Sequence, residues 1–158
     1  MVDFRKISVL TFVIVIFGTY LAHSQVNWIN FKQLDDSLKL KSKKVFIDFY
    51  ADWCAYCKKM DKAVYRDSDV VAELNKNYYC VKMNAESKEE IQFGGRYFRN
   101  TQVKSKRHPT HDIALAFGSR YGQEFSLPLV VILNNKFEVV GRYFEYISPK
   151  KMKSILKI

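Results

Sequence analysis

Two cysteines stand three positions apart, Cys54 and Cys57 in "FIDFYADWCAYCKKMD", straight after an apolar run and straight before a lysine-rich segment. Cysteines at that spacing serve as a dithiol that exchanges with disulfides, as half of a metal site, or as a structural bridge closing a short loop. Exchange needs a thiolate, and an ordinary cysteine with a pKa of ~8.5 is only ~3% ionised at neutral pH. The unpaired N–H groups of a helix N-terminus favour the anion. Lowering the pKa to ~7 makes about half of the thiol reactive, a differential of roughly 2 kcal/mol. A two-residue gap sets the second sulfur one helical turn inside, able to resolve a mixed disulfide yet shielded from solvent. Cys54 then suits the nucleophile and Cys57 the resolving thiol. A structural zinc would draw on a second ligand pair, for which Cys80 and the histidines His108 and His111 of "HPTH" are the candidates. Cys80 lies in an apolar run, where a lone cysteine packs, and surface histidine is the default for a pair flanking a helix start. No metal ligand is assigned.

Such a pair needs a strand to carry it and a helix to open at it. "KVFIDFY" reads as a buried strand, and "CAYCKKMDKAVYR" has no breaker and suits a helix beginning at the cysteines. Upstream, Phe31, Leu34 and Leu38 fall at helical spacing. Downstream, Ser68 and Asp69 can cap the helix "VVAELNKNY", and "YYCVKMN" is a second buried strand. "IQFGGRYF" alternates on each side of Gly94-Gly95, a two-residue hairpin signal. A polar, basic loop follows from Arg99 to Thr110. "HDIALAFGSRYG" is helical by period, with Ile113, Leu115, Ala116 and Tyr121 as contacts and Gly122 as a stop. "PLVVIL" and "FEVVGRYF" flank Asn134-Asn135 as a second hairpin, and Ser148-Pro149 opens a terminal helix. Central buried strands with helices between them predict an α/β sandwich around a mixed sheet.

The chain of 158 residues, 48% hydrophobic, with 6 Gly, 3 Pro and 3 Cys, fits one ordinary domain and excludes a disulfide-framework miniprotein. Arg5 and Lys6 precede an apolar run from Ile7 to about Ala22 that ends in Ala-His-Ser. That pattern predicts a signal peptide over residues 1–24, cleaved after Ser24, with an exported, periplasmic chain starting at Gln25. The alternative is a membrane anchor through residues 7–22 facing the periplasm. The formal charge of +10 becomes +9 without the leader, clustered at Lys39–Lys44, Lys58-Lys59 and the Arg99–Thr110 loop. Such a balance suits acidic partners, anionic lipid or glycan; with no nucleic-acid motif and an export signal, nucleic acid is not expected.

"VFIDFYADWCAYCK" resembles the active-site segment of the thioredoxin superfamily, with an acid, a tryptophan and the C-x-x-C in register. "KKMDKAVYRDSDVVAELNKNYYCVKMN" is similar to the C-terminal thioredoxin-like domain of bacterial transmembrane thiol reductases. "FSLPLVVILNNKFEVVGRYF" resembles the cis-proline strand and closing hairpin of that family. The resemblance covers about Val45–Asn84 and His111–Ile158. It implies a thioredoxin-like fold over 25–158, a central mixed sheet flanked by helices, with a hairpin and basic loop inserted at about 88–110. It further implies that Asp48 is the buried acid assisting proton transfer at Cys57, and that Lys82 is the lysine near that acid. Pro128 matches the cis-proline, with Leu127 offering backbone to a substrate peptide, and Trp53 forms an apolar lip beside Cys54.

The dipeptide Ala55-Tyr56 departs from better-known relatives, and no electron-supplying membrane domain is evident in the chain. The expected function is an exported, monomeric thiol–disulfide oxidoreductase that needs no cofactor. It reduces disulfide-bearing protein substrates and is reset by a membrane thiol reductase. The alternatives are an oxidase or isomerase, a metal-binding or delivery protein using the same thiols, and an adaptor whose basic loop binds anionic envelope components.

Overall fold

A computed structural model describes residues 25–158, and the leader expected over residues 1–24 lies outside the described residues. The chain enters through a two-residue strand β1 (Trp28–Ile29), which the sequence pattern missed because so short a run carries no periodicity. Asn30 and Gln33 then form a capping box that starts helix α1 (Phe31–Leu40), which buries Phe31 and Leu34. Strand β2 (Lys44–Tyr50) leads into helix α2 (Ala55–Ala63), and helix α3 (Ser68–Asn77) runs into strand β3 (Tyr78–Asn84). The cap of α3 is Asp67 rather than Ser68 or Asp69, since its carboxylate accepts the N–H groups of Asp69 and Val70 at 3.1 and 3.3 Å.

The inserted hairpin is β4 (Ile91–Phe93) and β5 (Arg96–Phe98), turned by Gly94 and Gly95 with φ of 58° and 72°, values that glycine adopts without strain. Helix α4 (Asp112–Gly118) is shorter than the periodicity predicts. It buries Ile113, Ala114 and Gly118, while Ala116 and Tyr121 face solvent and Gly122 lies beyond its end. Strands β6 (Leu129–Leu133) and β7 (Val139–Tyr143) form the expected hairpin, but the turn spans residues 134–138 rather than two. Asn134 organises it by accepting the N–H groups of Lys136 and Glu138. Ser148 caps helix α5 (Pro149–Leu156) as expected.

The main sheet has the order β1-β3-β2-β6-β7, parallel between β1, β3 and β2 and antiparallel from β2 through β6 to β7. Alternation along β2 divides two cores. Phe46 faces α2, α3 and α5 through Met60, Leu74 and Met152, whereas Val45, Ile47 and Phe49 face α1 and α4 through Leu34 and Ile113. The inserted hairpin belongs to the second core: Phe93 lies edge-on to Phe31 at 5.2 Å, and the Gly94 N–H donates to Asp35. Among the described residues no helix is long and apolar enough to cross a membrane.

Gly118 marks a close approach that sets where the chain leaves α4 for β6. A Cβ there would stand 2.4 Å from Leu129 Cδ2 and 2.8 Å from Phe125 Cε2. Overpacking a filled core costs about 1–3 kcal/mol, so Gly118→Ala is expected to lower unfolding stability by that amount. Urea titration checks this, and an unchanged midpoint would show that the wall formed by Leu129 and Phe125 yields freely.

Candidate active site

Cys54 is the N-cap of α2, and in this structure its sulfur is bonded to that of Cys57, with Cα atoms 5.3 Å apart. The Cys57 N–H donates to Cys54 Sγ at 3.1 Å, so an orphan donor of the first helical turn points at the sulfur. Cys57, Met60 and Val64 form the buried stripe of α2 that faces the sheet. The pattern reading shielded Cys57 alone, but Cys54 is also 4% exposed, packed with Ala51, Tyr50 and Leu127. Trp53, in the turn before the helix, and Tyr56, on its surface, keep more than half of their area exposed.

Beneath α2, on the same face of β2 as Phe46, lies Asp48, 2% exposed. Burial is the main cause that raises its carboxyl to about 6, opposed by the Lys82 ammonium 3.7 Å away and by the Tyr65 hydroxyl, which donates at 3.0 Å. Strand register makes the Lys82 contact, because Asp48 and Lys82 are direct partners across β2 and β3. Lys82 also pairs with Asp61 on α2, so it links the buried carboxylate to one at the surface. Burial, reinforced by Asp48, pushes the Tyr65 phenol well above its usual range, so it remains a donor. Neither Tyr65 nor Asp61 was singled out from sequence. Asp61 lies seven positions after Cys54 on a helix whose face could not be fixed without the sheet, and Tyr65 falls inside the expected helix but beyond the observed one, which stops at Ala63.

Leu127 and Pro128 come to the pair from β6. Leu129 is the register partner of Phe49, so the residues before it fall beside the turn that carries Cys54. The Leu127–Pro128 peptide is cis. Trp53 stands over the inserted loop, where its Nε1–H donates to Glu86 at 2.7 Å and its ring lies 4.9 Å from that of His108. His108 Nδ1 meets the same Glu86 oxygen at 2.9 Å. Glu86 was also missed, being 33 residues from Trp53.

His111 corrects the expectation of a surface histidine. It is 0% exposed and caps α4, with Nδ1 accepting the Ile113 N–H and Nε2–H donating to the Glu89 carbonyl. Those bonds commit both ring nitrogens. Cys80 is buried and outside any disulfide, its thiol donating to the Leu74 carbonyl, and burial pushes that thiol up to about 12. Among the described residues no group of three or more His, Cys, Asp or Glu is placed to hold a metal ion. The arrangement therefore offers a dithiol/disulfide pair at a helix start, a carboxylate able to exchange protons near neutrality, and a cleft beside the pair.

The family described as a thioredoxin-like domain matches residues 31–157. The thiol:disulfide interchange protein DsbD of Campylobacter jejuni (strain RM1221) is 30% identical over 64 residues, 40% of this chain and 11% of that protein. This chain thus aligns with about a tenth of the length of the curated relatives it matches. A thioredoxin from Thermus thermophilus shares the fold with a TM-score of 0.58 at 18% identity, over 84% of this chain and 85% of that one. The oxidised C-terminal domain of Neisseria meningitidis DsbD does so with a TM-score of 0.50 at 18% identity, over 80% and 89%.

A carboxyl whose pKa rises on folding binds more protons in the native than in the unfolded state between pH 4 and 6. Stability attributable to Asp48 therefore falls as pH rises through that window. From 3.8 to about 6 the shift corresponds to about 3 kcal/mol above pH 7. Asp48→Asn is expected to be more stable than the native chain by that order at pH 7, with the gain vanishing below pH 4. Urea unfolding across pH 4–8 reads the difference, and a gain independent of pH would refute a strained buried carboxylate.

Proposed function

The chain belongs to the thioredoxin-like family and is a thiol–disulfide oxidoreductase by its fold and C-x-x-C pair, and we propose that it works outside the cytoplasm as a reductase of protein disulfides. The observation that carries this reading is the Cys54–Cys57 disulfide at the start of α2, set over the buried Asp48 carboxylate. Export is supported by the charged start and apolar run of residues 5–22. Such a compartment supplies disulfide-bearing clients.

In the reduced protein the Cys54 thiolate attacks one sulfur of a client disulfide. The client S–S bond breaks, a Cys54–client disulfide forms, and the released client thiolate takes a proton. Cys57 then passes its proton to the Asp48 carboxylate, about 90% of which is ionised at pH 7 for a pKa of about 6. The Cys57 thiolate attacks Cys54 Sγ and expels the second client sulfur. Two electrons leave the enzyme dithiol for the client, and the oxidised pair is restored by a second dithiol, which we assign to a membrane thiol reductase. Leu127 and Pro128, beside the pair, are assigned to holding the client backbone, and Trp53 to the lip over Cys54.

The reducing direction is supported by the similarity to DsbD and by electrostatics. A strongly oxidising pair is one whose reduced, thiolate form is stabilised. Here the negative charge on Asp48 opposes a second negative charge above it, and neither Ala55 nor Tyr56 supplies a cation.

Two measurements test the reading. Cys57→Ser is expected to accumulate mixed disulfides through Cys54, visible on non-reducing gels; equal trapping by Cys54→Ser would reverse the assigned roles. The reduction potential of the pair is expected near about −270 mV, whereas a value near about −120 mV would make the protein an oxidase of its clients.

A further inference from the structure

A cavity of about 590 Å³ opens beside the disulfide, a size that accepts a short peptide segment. Trp53 and Leu127 form its end at the pair, the inserted loop contributes Lys106, Arg107 and His108, and the chain between α4 and β6 contributes Arg120. Its charges are not balanced internally. Lys106 and Arg107 of its lining are exposed, as is Lys104 elsewhere in the loop, and among the described residues none of them forms an ion pair, whereas Arg99 at the start of the loop is paired with Glu90. Of the carboxylates at the cavity, Glu86 is committed to the Trp53 indole and to His108. Glu124, the other one, is matched in number by Arg120, whose Nη2 donates to the Glu124 carbonyl and to Ser126 Oγ and whose guanidinium lies 3.7 Å from the Phe144 ring, which leaves Lys106 and Arg107 against Glu86 alone.

The loop is also fixed in place relative to the reacting sulfur. Glu86 joins Trp53, the residue before Cys54, to His108 in the loop, and Asn100 Nδ2–H groups donate to the Ser87 carbonyl just before the insertion and to the Pro109 carbonyl near its end. Unpaired cations on a tethered loop, along a cleft that ends at Trp53 and Leu127 next to the nucleophile, form a selector for negative charge.

Building on the oxidoreductase reading, we infer that this cleft is a client-selecting site. It takes an acidic, extended segment adjoining the client's disulfide, whose carboxylates meet Lys106 and Arg107 while Cys54 attacks. The attraction acts on encounter and is screened by salt, so selection is strongest at low ionic strength.

The test uses the reduced protein and three synthetic peptides that carry the same intramolecular disulfide flanked by aspartates, serines or lysines. Stopped-flow kinetics give the second-order rate constant for each with the native chain and with the Lys106→Gln/Arg107→Gln double variant. The acidic peptide is expected to react at least about tenfold faster than the lysine peptide with the native chain at low salt. That ratio is expected to fall towards one in the variant and at high salt. The ratio within one protein cancels any general loss of activity. Equal rates for the three peptides, or a preference that survives in the variant, would overturn the inference. So would binding to anionic lipid vesicles that the variant loses while its peptide rates stay unchanged, because the loop would then be a membrane-contact element. Reduction of uncharged hydroxyethyl disulfide by the native chain is measured alongside. If that fails too, the oxidoreductase reading falls; if it proceeds while the charge preference is absent, only the selecting site does.

Discussion

From Val45 to Phe49, strand β2 is bonded to β3 on one edge and β6 on the other, and both of its faces are covered by apolar cores. Nothing along it reaches water, yet position 48 carries a carboxylate. A charge in such a place survives only with partners. The parallel register with β3 supplies Lys82, and the unwound end of α2 supplies the Tyr65 hydroxyl. Those partners offset part of the desolvation and leave the group titrating near neutrality rather than permanently protonated. In the proposed mechanism that cost places a proton acceptor beneath the cysteine helix.

The same pairing gathers the rest of the site at one end of the sheet. Because β3 runs parallel to β2, its last residues lie beside Tyr50, and the Ala85 N–H donates to the Tyr50 carbonyl at 2.7 Å. Because β6 runs antiparallel, its beginning lies at that same end, with Leu129 opposite Phe49. Three chain segments therefore converge where β2 hands over to the cysteine turn: the turn itself, the Leu127–Pro128 approach to β6, and the start of the insertion after β3. An insertion following β3 is delivered to the disulfide by topology alone. One placed in the turn between β6 and β7 would emerge at the opposite end.

This topology explains what was legible in the residues. Long apolar runs and 3.6-residue periods announced the strands and helices, and the Gly94-Gly95 and Ser148-Pro149 signals were purely local, so they held. The two-residue β1 carries too little pattern, and the cap of α3 fell on Asp67 because three successive residues are all of capping type and type alone does not choose among them. Tyr121 reads as apolar by type but lies past the end of a helix that stops at Gly118, where α4 meets Leu129. In the candidate site, Cys54, Cys57, Asp48, Lys82, Leu127 and Pro128 were singled out because a motif order marks them, and the structure sets Lys82 against Asp48 and Leu127 against the cysteine pair. Tyr65, Asp61 and Glu86 were not, since each acquires its contact only when β2, β3 and α2 pack. His111 was misjudged because hydrophilic type says nothing of burial once both ring nitrogens find partners.

The cysteine pair lies between two opposing fields. The start of α2 offers a positive helix end and the Cys57 N–H to a sulfur anion, which favours thiolate and therefore the reduced form. Asp48, held ionised by Lys82 and Tyr65, sits under the sheet-facing side of the same helix and disfavours thiolate. Basic residues that would tip the balance are present in the chain, but the fold places them elsewhere: Lys58 and Lys59 lie on the solvent side of α2, with Lys59 drawn onto the Tyr146 ring at 4.5 Å, while Lys106 and Arg107 line the cleft. Neither residue between the cysteines is basic, so the strongly basic surface places no cation between the two sulfurs in the chain. In the proposed scheme, the charge that recruits a client lies on the inserted loop, whereas the charge that bears on the redox balance lies on β2 beneath the helix.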